Sequence, residues 1–157
     1  MSQENNADIQ KLYESTGLSS NMEDYMETIA MLSVENRVVR VKDIAKKLDI
    51  KMPSVTSALN KLRDMGLIDY EKYGFVELTE KGKEISEQVY NKHLCLYDFF
   101  HEVLQLNPIT ADQEACKVEH SLTPETCVQL HKFMKFIKSP ETQKERWYKN
   151  LRGLLTD

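Results

Sequence analysis

Residues 41–78 read VKDIAKKLDIKMPSVTSALNKLRDMGLIDYEKYGFVEL, and a change of hydrophobic period inside this stretch decides the fold. Val41, Ile44, Ala45 and Leu48 recur at helical spacing and predict a helix with that face inward. A turn over 49–52 leads to Pro53, which suits a first helical turn because its missing N–H has no partner there anyway. Val55, Leu59 and Leu62 carry the pattern to about Met65, where Gly66 supplies the stop. The period then drops to two. Residues 67–70 and 75–78 read as strands around a turn at 72–74. Helix, turn, helix and hairpin in that order make a winged helix-turn-helix.

Outward from there the chain stays helical. The first 20 residues are polar, with a short helix over 7–15 that Gly17 breaks. Ser20 and Asn21 offer N-cap oxygens to a helix through Tyr25, Ile29 and Leu32, ended at Asn36. Thr79 caps a long helix from about Glu80 to about Leu106, with Pro108 beyond its end. A further helix spans 111–121, and Thr123-Pro124-Glu125 opens another whose buried face is Val128, Leu130, Phe133 and Ile137. From Ser139 on, a short helix or tail packs through Trp147 and Leu151. Five Gly and four Pro in 157 residues agree with a mostly α protein.

The net charge of −4 argues against a general nucleic-acid-coating protein, but it hides an asymmetry. Residues 37–83 hold 11 Lys/Arg against 7 Asp/Glu, a local excess of +4, while the remainder sums to −8. A basic segment in an acidic chain suits a local duplex contact beside a cation site. Cys95, Cys116 and Cys127 have no framework spacing, so structural disulfides are not expected. Nothing resembles a signal peptide or a membrane span, and a cytoplasmic protein without a membrane partner is the expectation.

Pro53, Ser54, Thr56, Ser57, Asn60 and Lys61 occupy the front and the non-core positions of the third helix, where short hydroxyls and an amide can reach base edges or phosphates. Lys72 at the wing tip, with Arg40, Lys42 and Lys51 nearby, can hold the backbone. A solvated protein-interaction module is the bland alternative. The order of elements favours double-stranded DNA.

Glu114-Ala-Cys-Lys-Val-Glu-His120 puts Cys116, Glu119 and His120 on one helix face, at i, i+3 and i+4. A thiol, a carboxylate and an imidazole there can each give a lone pair to one divalent metal. Asp24 and Glu27 share a face of the first core helix, and His93 lies in the long helix. Should those helices converge, six candidate ligands result. Each has a plainer reading. An acid in a first helical turn is favoured by the backbone dipole, His93 could be a core histidine, and Cys116 a small buried hydrophobe. Cys95, Cys127, His101 and His131 lack partners at ligand spacing.

The segment Ser54-Val-Thr-Ser-Ala-Leu-Asn-Lys-Leu, then Gly66-Leu-Ile-Asp-Tyr-Glu, then Leu78-Thr-Glu-Lys-Gly resembles the diphtheria toxin repressor family. Asn21-Met-Glu-Asp-Tyr-Met-Glu and Cys116-x-x-Glu-His strengthen the resemblance, which covers roughly 20–140. It implies a homodimeric repressor that binds operator DNA when loaded with Fe(II) or Mn(II), with no small-molecule substrate. It also implies a dimer built from the helices after the wing and ligands drawn from both domains. We therefore expect a polar extension over 1–19, a winged helix-turn-helix over 20–83 and an all-helical metal-binding and dimerisation domain over 84–157, the two-domain form of the family without its SH3-like domain.

The motifs come from two branches. Met22-Glu-Asp-Tyr-Met-Glu27 is similar to the manganese regulators, whose ligands match Asp24 and Glu27 but which carry Glu where Cys116 stands. Cys116-x-x-Glu-His is similar to the iron regulators, which carry Met where Asp24 stands. Their ancillary site matches at His93 and departs at Tyr97 and Asp112. A thiolate favours Fe(II), Co(II), Ni(II) or Zn(II) over Mn(II), and the carboxylates favour Mn(II) or Fe(II). Fe(II) satisfies both, with Mn(II) next, at one or two ions per subunit. The rivals are a metalloenzyme, for which no nucleophile–base pair or phosphate loop is seen, a winged-helix regulator sensing thiol oxidation or an organic ligand, and a purely structural dimerisation module that binds no DNA at any metal level.

Overall fold

The computed structural model describes residues 5–71 and 74–156. It is mostly helical with one two-stranded sheet, in the order α1 Asn6–Leu12, α2 Ser20–Glu35, α3 Val41–Leu48, α4 Met52–Asp64, β1 Ile68–Tyr70, β2 Val76–Leu78, α5 Glu80–Asp98, α6 Pro108–Val118, α7 Pro124–Ile137, α8 Pro140–Lys144 and α9 Arg146–Thr156. The chain forms two compact units: residues 16–89, and residues 90–157 together with the N-terminal 1–15. None of the helices described is long and apolar enough to cross a membrane.

The first unit is the winged helix-turn-helix. Its core is Met26 and Ile29 of α2, Ile44 of α3, and Val55, Leu59 and Leu62 of α4, closed by Leu67, Ile68 and Val76 of the hairpin. Each of these large side chains contributes about 1.5–3 kcal/mol on leaving water. β1 and β2 pair antiparallel with Ile68 opposite Leu78 and Tyr70 opposite Val76. A single bridge, Val39 to Val76, adds the segment before α3 to the wing. Asp49 (φ 54) and Gly66 (φ 71) turn the chain after α3 and α4. The α2 cap falls one residue earlier than expected: the Ser19 carbonyl, not Ser20 or Asn21, accepts from Met22 and Glu23.

Thr79 fixes the start of α5 in two directions. Its hydroxyl donates to the Gly66 carbonyl at 2.8 Å and accepts from the Gly82 amide at 3.1 Å. The first turn of α5 is thereby tied to the α4–β1 corner.

In the second unit α1 packs beside α7 through Ile9, Tyr13, Cys127 and Val128. Three expectations change here. The α-geometry of α5 ends at Asp98 and gives way to a π-helical turn over Phe99–Val103, after which Gln105 takes a positive φ of 58°. The expected 111–121 helix starts at Pro108, because Asn107 accepts from the Thr110 amide, and it ends in a 3₁₀ turn over Glu119–Ser121. The buried face of α7 is Cys127, Val128, Met134 and Ile137, with Leu130 partly buried. Phe133 is 41% exposed, because the face turned inward is rotated toward Met134. Trp147 is also half-exposed and stacks parallel to Phe136.

Candidate metal centre and DNA-reading surface

Four of the nominated donors belong to the second unit. His93 sits on α5 and is buried; Cys116 sits near the end of α6 and is exposed; Glu119 and His120 lie in the 3₁₀ turn that follows. The change from α to 3₁₀ winding tightens the chain just where these two side chains leave it. Glu119 is only 1% exposed, so its carboxylate depends on its neighbours for hydrogen bonds. One oxygen lies 2.8 Å from His93 Nδ1 and the other 3.2 Å from His120 Nε2. Cys116 Sγ lies 3.9 Å from the same Nδ1.

His93 faces a second carboxylate as well, with Nε2 3.1 Å from Asp112 Oδ1. A neutral imidazole carries one N–H, so one of its two contacts sets a lone pair against a carboxylate oxygen. A proton or a metal cation at the ring removes that conflict. The donor atoms of His93, Cys116 and Glu119 all lie within 4.8 Å of one another. Two ligands on opposite sides of an ion at about 2.0–2.3 Å stand up to about 4.6 Å apart and neighbouring ligands stand closer, so the three are near enough to close on one divalent ion by side-chain adjustment. Nitrogen, sulfur and oxygen donors together suit a borderline transition metal.

Asp112 was read from the sequence only as a departure from an iron-type ancillary site. The signal that could have placed it is simple: it precedes Cys116 by four residues, on the same face of α6. Asp24 and Glu27 lie in the first unit, both half-buried and three residues apart on α2. Beside them Glu23, which the sequence reading passed over, is buried and accepts from the Thr16 hydroxyl at 2.5 Å.

The three cysteines are not in disulfides, and they differ in exposure. Burial pushes the Cys95 thiol up to about 11; the Tyr13 hydrogen bond opposes the shift, and Cys127 and Asp98 add to it. Burial also raises Cys127. A raised thiol carries less of the nucleophilic thiolate at any lower pH. At mildly alkaline pH, iodoacetamide should therefore modify the exposed Cys116 well before the other two, and Cys95 should catch up only as pH climbs toward about 11. Adding Mn(II) or Fe(II) anaerobically should slow the Cys116 reaction alone, as followed by peptide mass spectrometry. Labelling indifferent to metal would remove Cys116 from the ligand set.

On the first unit, α4 exposes Pro53, Ser54, Ser57 and Lys61 and keeps Thr56 and Asn60 half-buried. Arg40, Lys42 and Lys51 are exposed at the helix starts. Lys72 lies outside the described residues.

Comparison with known proteins follows the same division. Residues 17–76 match the model described as the iron dependent repressor N-terminal DNA binding domain. Residues 79–148 match the iron dependent repressor metal binding and dimerisation domain. An uncharacterized HTH-type transcriptional regulator of Methanocaldococcus jannaschii is 39% identical over 122 residues, 77% of this chain and 98% of the relative. The HTH-type transcriptional regulator MntR of Oceanobacillus iheyensis is 34% identical over 78% of this chain and 83% of its own. The solved manganese regulator SloR is similar with a TM-score of 0.64 at 28% identity, over 73% of this chain and 54% of that one. T. acidophilum IdeR, at 23% identity and a TM-score of 0.66, covers 72% of this chain and 53% of its own and shares the fold. The chain thus spans about half the length of these two solved proteins.

Proposed function

This chain belongs to the iron dependent (diphtheria toxin) repressor family, and on that premise we propose that it represses transcription as a homodimer, binding operator DNA when loaded with Fe(II) and serving metal-ion homeostasis. At the coarser level it is a metal-dependent transcriptional regulator and not an enzyme. The observation that carries the proposal is the buried Glu119 carboxylate, flanked by His93 and His120 and within reach of the Cys116 sulfur.

His93, Cys116, Glu119 and His120 are the proposed donors of the second unit. Asp24 and Glu27 are further ligand candidates on the strength of the sequence pattern alone. Together they would hold one or two divalent ions per subunit. When bound, the ion supplies positive charge that satisfies the clustered carboxylates and thiolate. The Cys116 thiolate leans toward Fe(II) and the carboxylates toward Mn(II) or Fe(II), which places Fe(II) first and Mn(II) second. Tightness of binding in vitro does not decide the physiological ion, because Zn(II) outranks both in intrinsic affinity.

The switch is a linkage. An ion that binds the DNA-competent dimer more tightly than its alternatives raises the affinity for DNA, and DNA raises the affinity for the ion by the same factor. Ser54, Ser57 and Lys61, with half-buried Thr56 and Asn60 and the helix-start residue Pro53, are proposed to face the major groove. Arg40, Lys42, Lys51 and Lys72 are proposed to contact phosphates.

The test is anaerobic binding to a duplex selected from a random library, with Fe(II) and Mn(II) titrated separately against a chelator control. We expect binding to require metal and to saturate at lower free Fe(II) than Mn(II). Saturation at lower Mn(II) would make the protein a manganese regulator despite its cysteine. Equal binding under chelator would defeat the metal switch.

A further inference from the structure

Among the described residues of the wing, Phe75 was read from the sequence only as the start of a strand. Phe75 precedes β2 and is 46% exposed. The Val39–Val76 bridge sets the antiparallel register, with the Val76 amide donating to the Val39 carbonyl at 2.9 Å. One step along that register Arg40 stands opposite Phe75, and its guanidinium carbon lies 5.1 Å from the ring centroid. This is a cation–π pair beside an isolated β-bridge. It holds a long, otherwise mobile side chain in one place at the wing's edge.

Beside the pair lies a groove of about 340 Å³ between the starts of α3 and α4 and the wing. Val41, Met52 and Tyr70 give it apolar walls, Thr56 adds a hydroxyl, and Arg40 and Lys42 provide two cations. Tyr70 is buried, whereas Met52 is 54% exposed at the first turn of α4. An apolar trough with a cationic edge matches a deoxyribose–phosphate segment, whose sugar face is apolar and whose phosphate is anionic. The position fits too. With α4 in the major groove and the wing over the next minor groove, the strand dividing the two grooves must cross whatever lies between helix and wing.

We propose that this groove seats one sugar–phosphate segment of the bound duplex and that Phe75 is a positioning residue, holding Arg40 over the phosphate. The proposal rests on the DNA-binding reading above and adds an occupant, a clamp and a role for Phe75. A preordered guanidinium loses less freedom when it meets its phosphate than a free one. Phe75 itself contributes through Arg40.

The test is a double-mutant cycle on the metal-loaded full-length protein and its selected duplex, read by fluorescence anisotropy across a salt series. Arg40→Ala should weaken binding and lower the slope of log affinity against log salt by about 0.9, the loss of one phosphate contact. Phe75→Ala should weaken binding roughly two- to fivefold, the worth of an exposed cation–π pair. The double variant should bind no more weakly than Arg40→Ala alone, and Phe75→Trp should recover the loss. Additive losses, or an Arg40→Ala slope equal to that of the parent, would overturn the proposal. If the parent shows no metal-dependent binding to begin with, it is the repressor reading that fails. If the parent binds and the variants match it, only the clamp is lost. Thermal unfolding of each variant checks that the fold is intact, and Phe75→Leu, which keeps bulk without the π face, should behave as Phe75→Ala.

Discussion

Replacing Glu119, a proposed ligand, with alanine should lower affinity for Fe(II) or Mn(II) by on the order of a hundredfold, and metal-activated DNA binding should fall with it. The size follows from position. This carboxylate is almost fully buried, and its two oxygens stand against His93 Nδ1 and His120 Nε2. Removing it deletes a hard anionic donor and leaves two imidazoles facing a void. Orphaning a buried polar group costs about 1–3 kcal/mol, so the alanine variant also loses stability. Glu119→Gln separates the two effects, since it keeps the shape and removes the charge. It should unfold near the parent's midpoint while binding metal nearly as poorly as the alanine variant. Competition titration against a metal indicator reads the affinity, and anisotropy reads the DNA. Parental metal dependence in Glu119→Gln would take Glu119 out of the switch.

The second large effect falls on the fold. Gly82→Ala should destabilise the winged helix by at least about 2 kcal/mol. A Cβ built there would stand 1.9 Å from the Leu67 carbonyl oxygen and 3.4 Å from Leu78 Cδ2. The obstacle is backbone, and it is anchored: the Leu67 carbonyl accepts from the Thr79 amide at 3.1 Å, and Thr79 is tied to Gly66. The helix start would have to retreat from the corner on which it docks. About 1 kcal/mol of improved helix propensity works the other way and does not cover the clash. Gly153→Ala in α9 is the control, because nothing lies within 4 Å of its would-be Cβ. It should stabilise by up to about 1 kcal/mol. Urea unfolding of both variants reads the contrast, and equal midpoints would contradict it.

The Gly82 contact shows where sequence reasoning stops. The Leu78-Thr-Glu-Lys-Gly segment was legible as part of a family pattern and Thr79 as a cap, but the carbonyl that demands a glycine sits 15 residues upstream. Local periodicity placed α3 and α4 and the two strands well, because a sharp change from period 3.6 to period 2 is written into 41–78 itself. The end of α5 was not legible in that way. Phe99, Phe100 and Val103 carry an apolar pattern that does not distinguish α from π winding, and the structure shows a π turn there. Phe133 misled because an aromatic at an apolar spacing looks buried, while Met134 takes the inward position. At the candidate metal site the sequence names candidate donors one by one. Their distances were not legible in it, nor was the second carboxylate on His93, since Asp112 resembled a missing ligand more than a neighbour. Phe75 depended on a register that no local pattern reveals.

On the proposed reading, the ion that switches on DNA binding is held by His93, Glu119 and His120 together with the Cys116 thiolate. One anaerobic Co(II) titration, followed at once by near-ultraviolet absorption and by anisotropy of the labelled duplex, probes the Cys116 ligand and the switch together. Co(II) bound to a thiolate absorbs strongly there, and Co(II) bound only to oxygen and nitrogen does not. On that reading the sulfur–cobalt band and DNA binding should rise together, and Cys116→Ser should remove the band. DNA binding that saturates with no such band, or a band that survives Cys116→Ser, would contradict it.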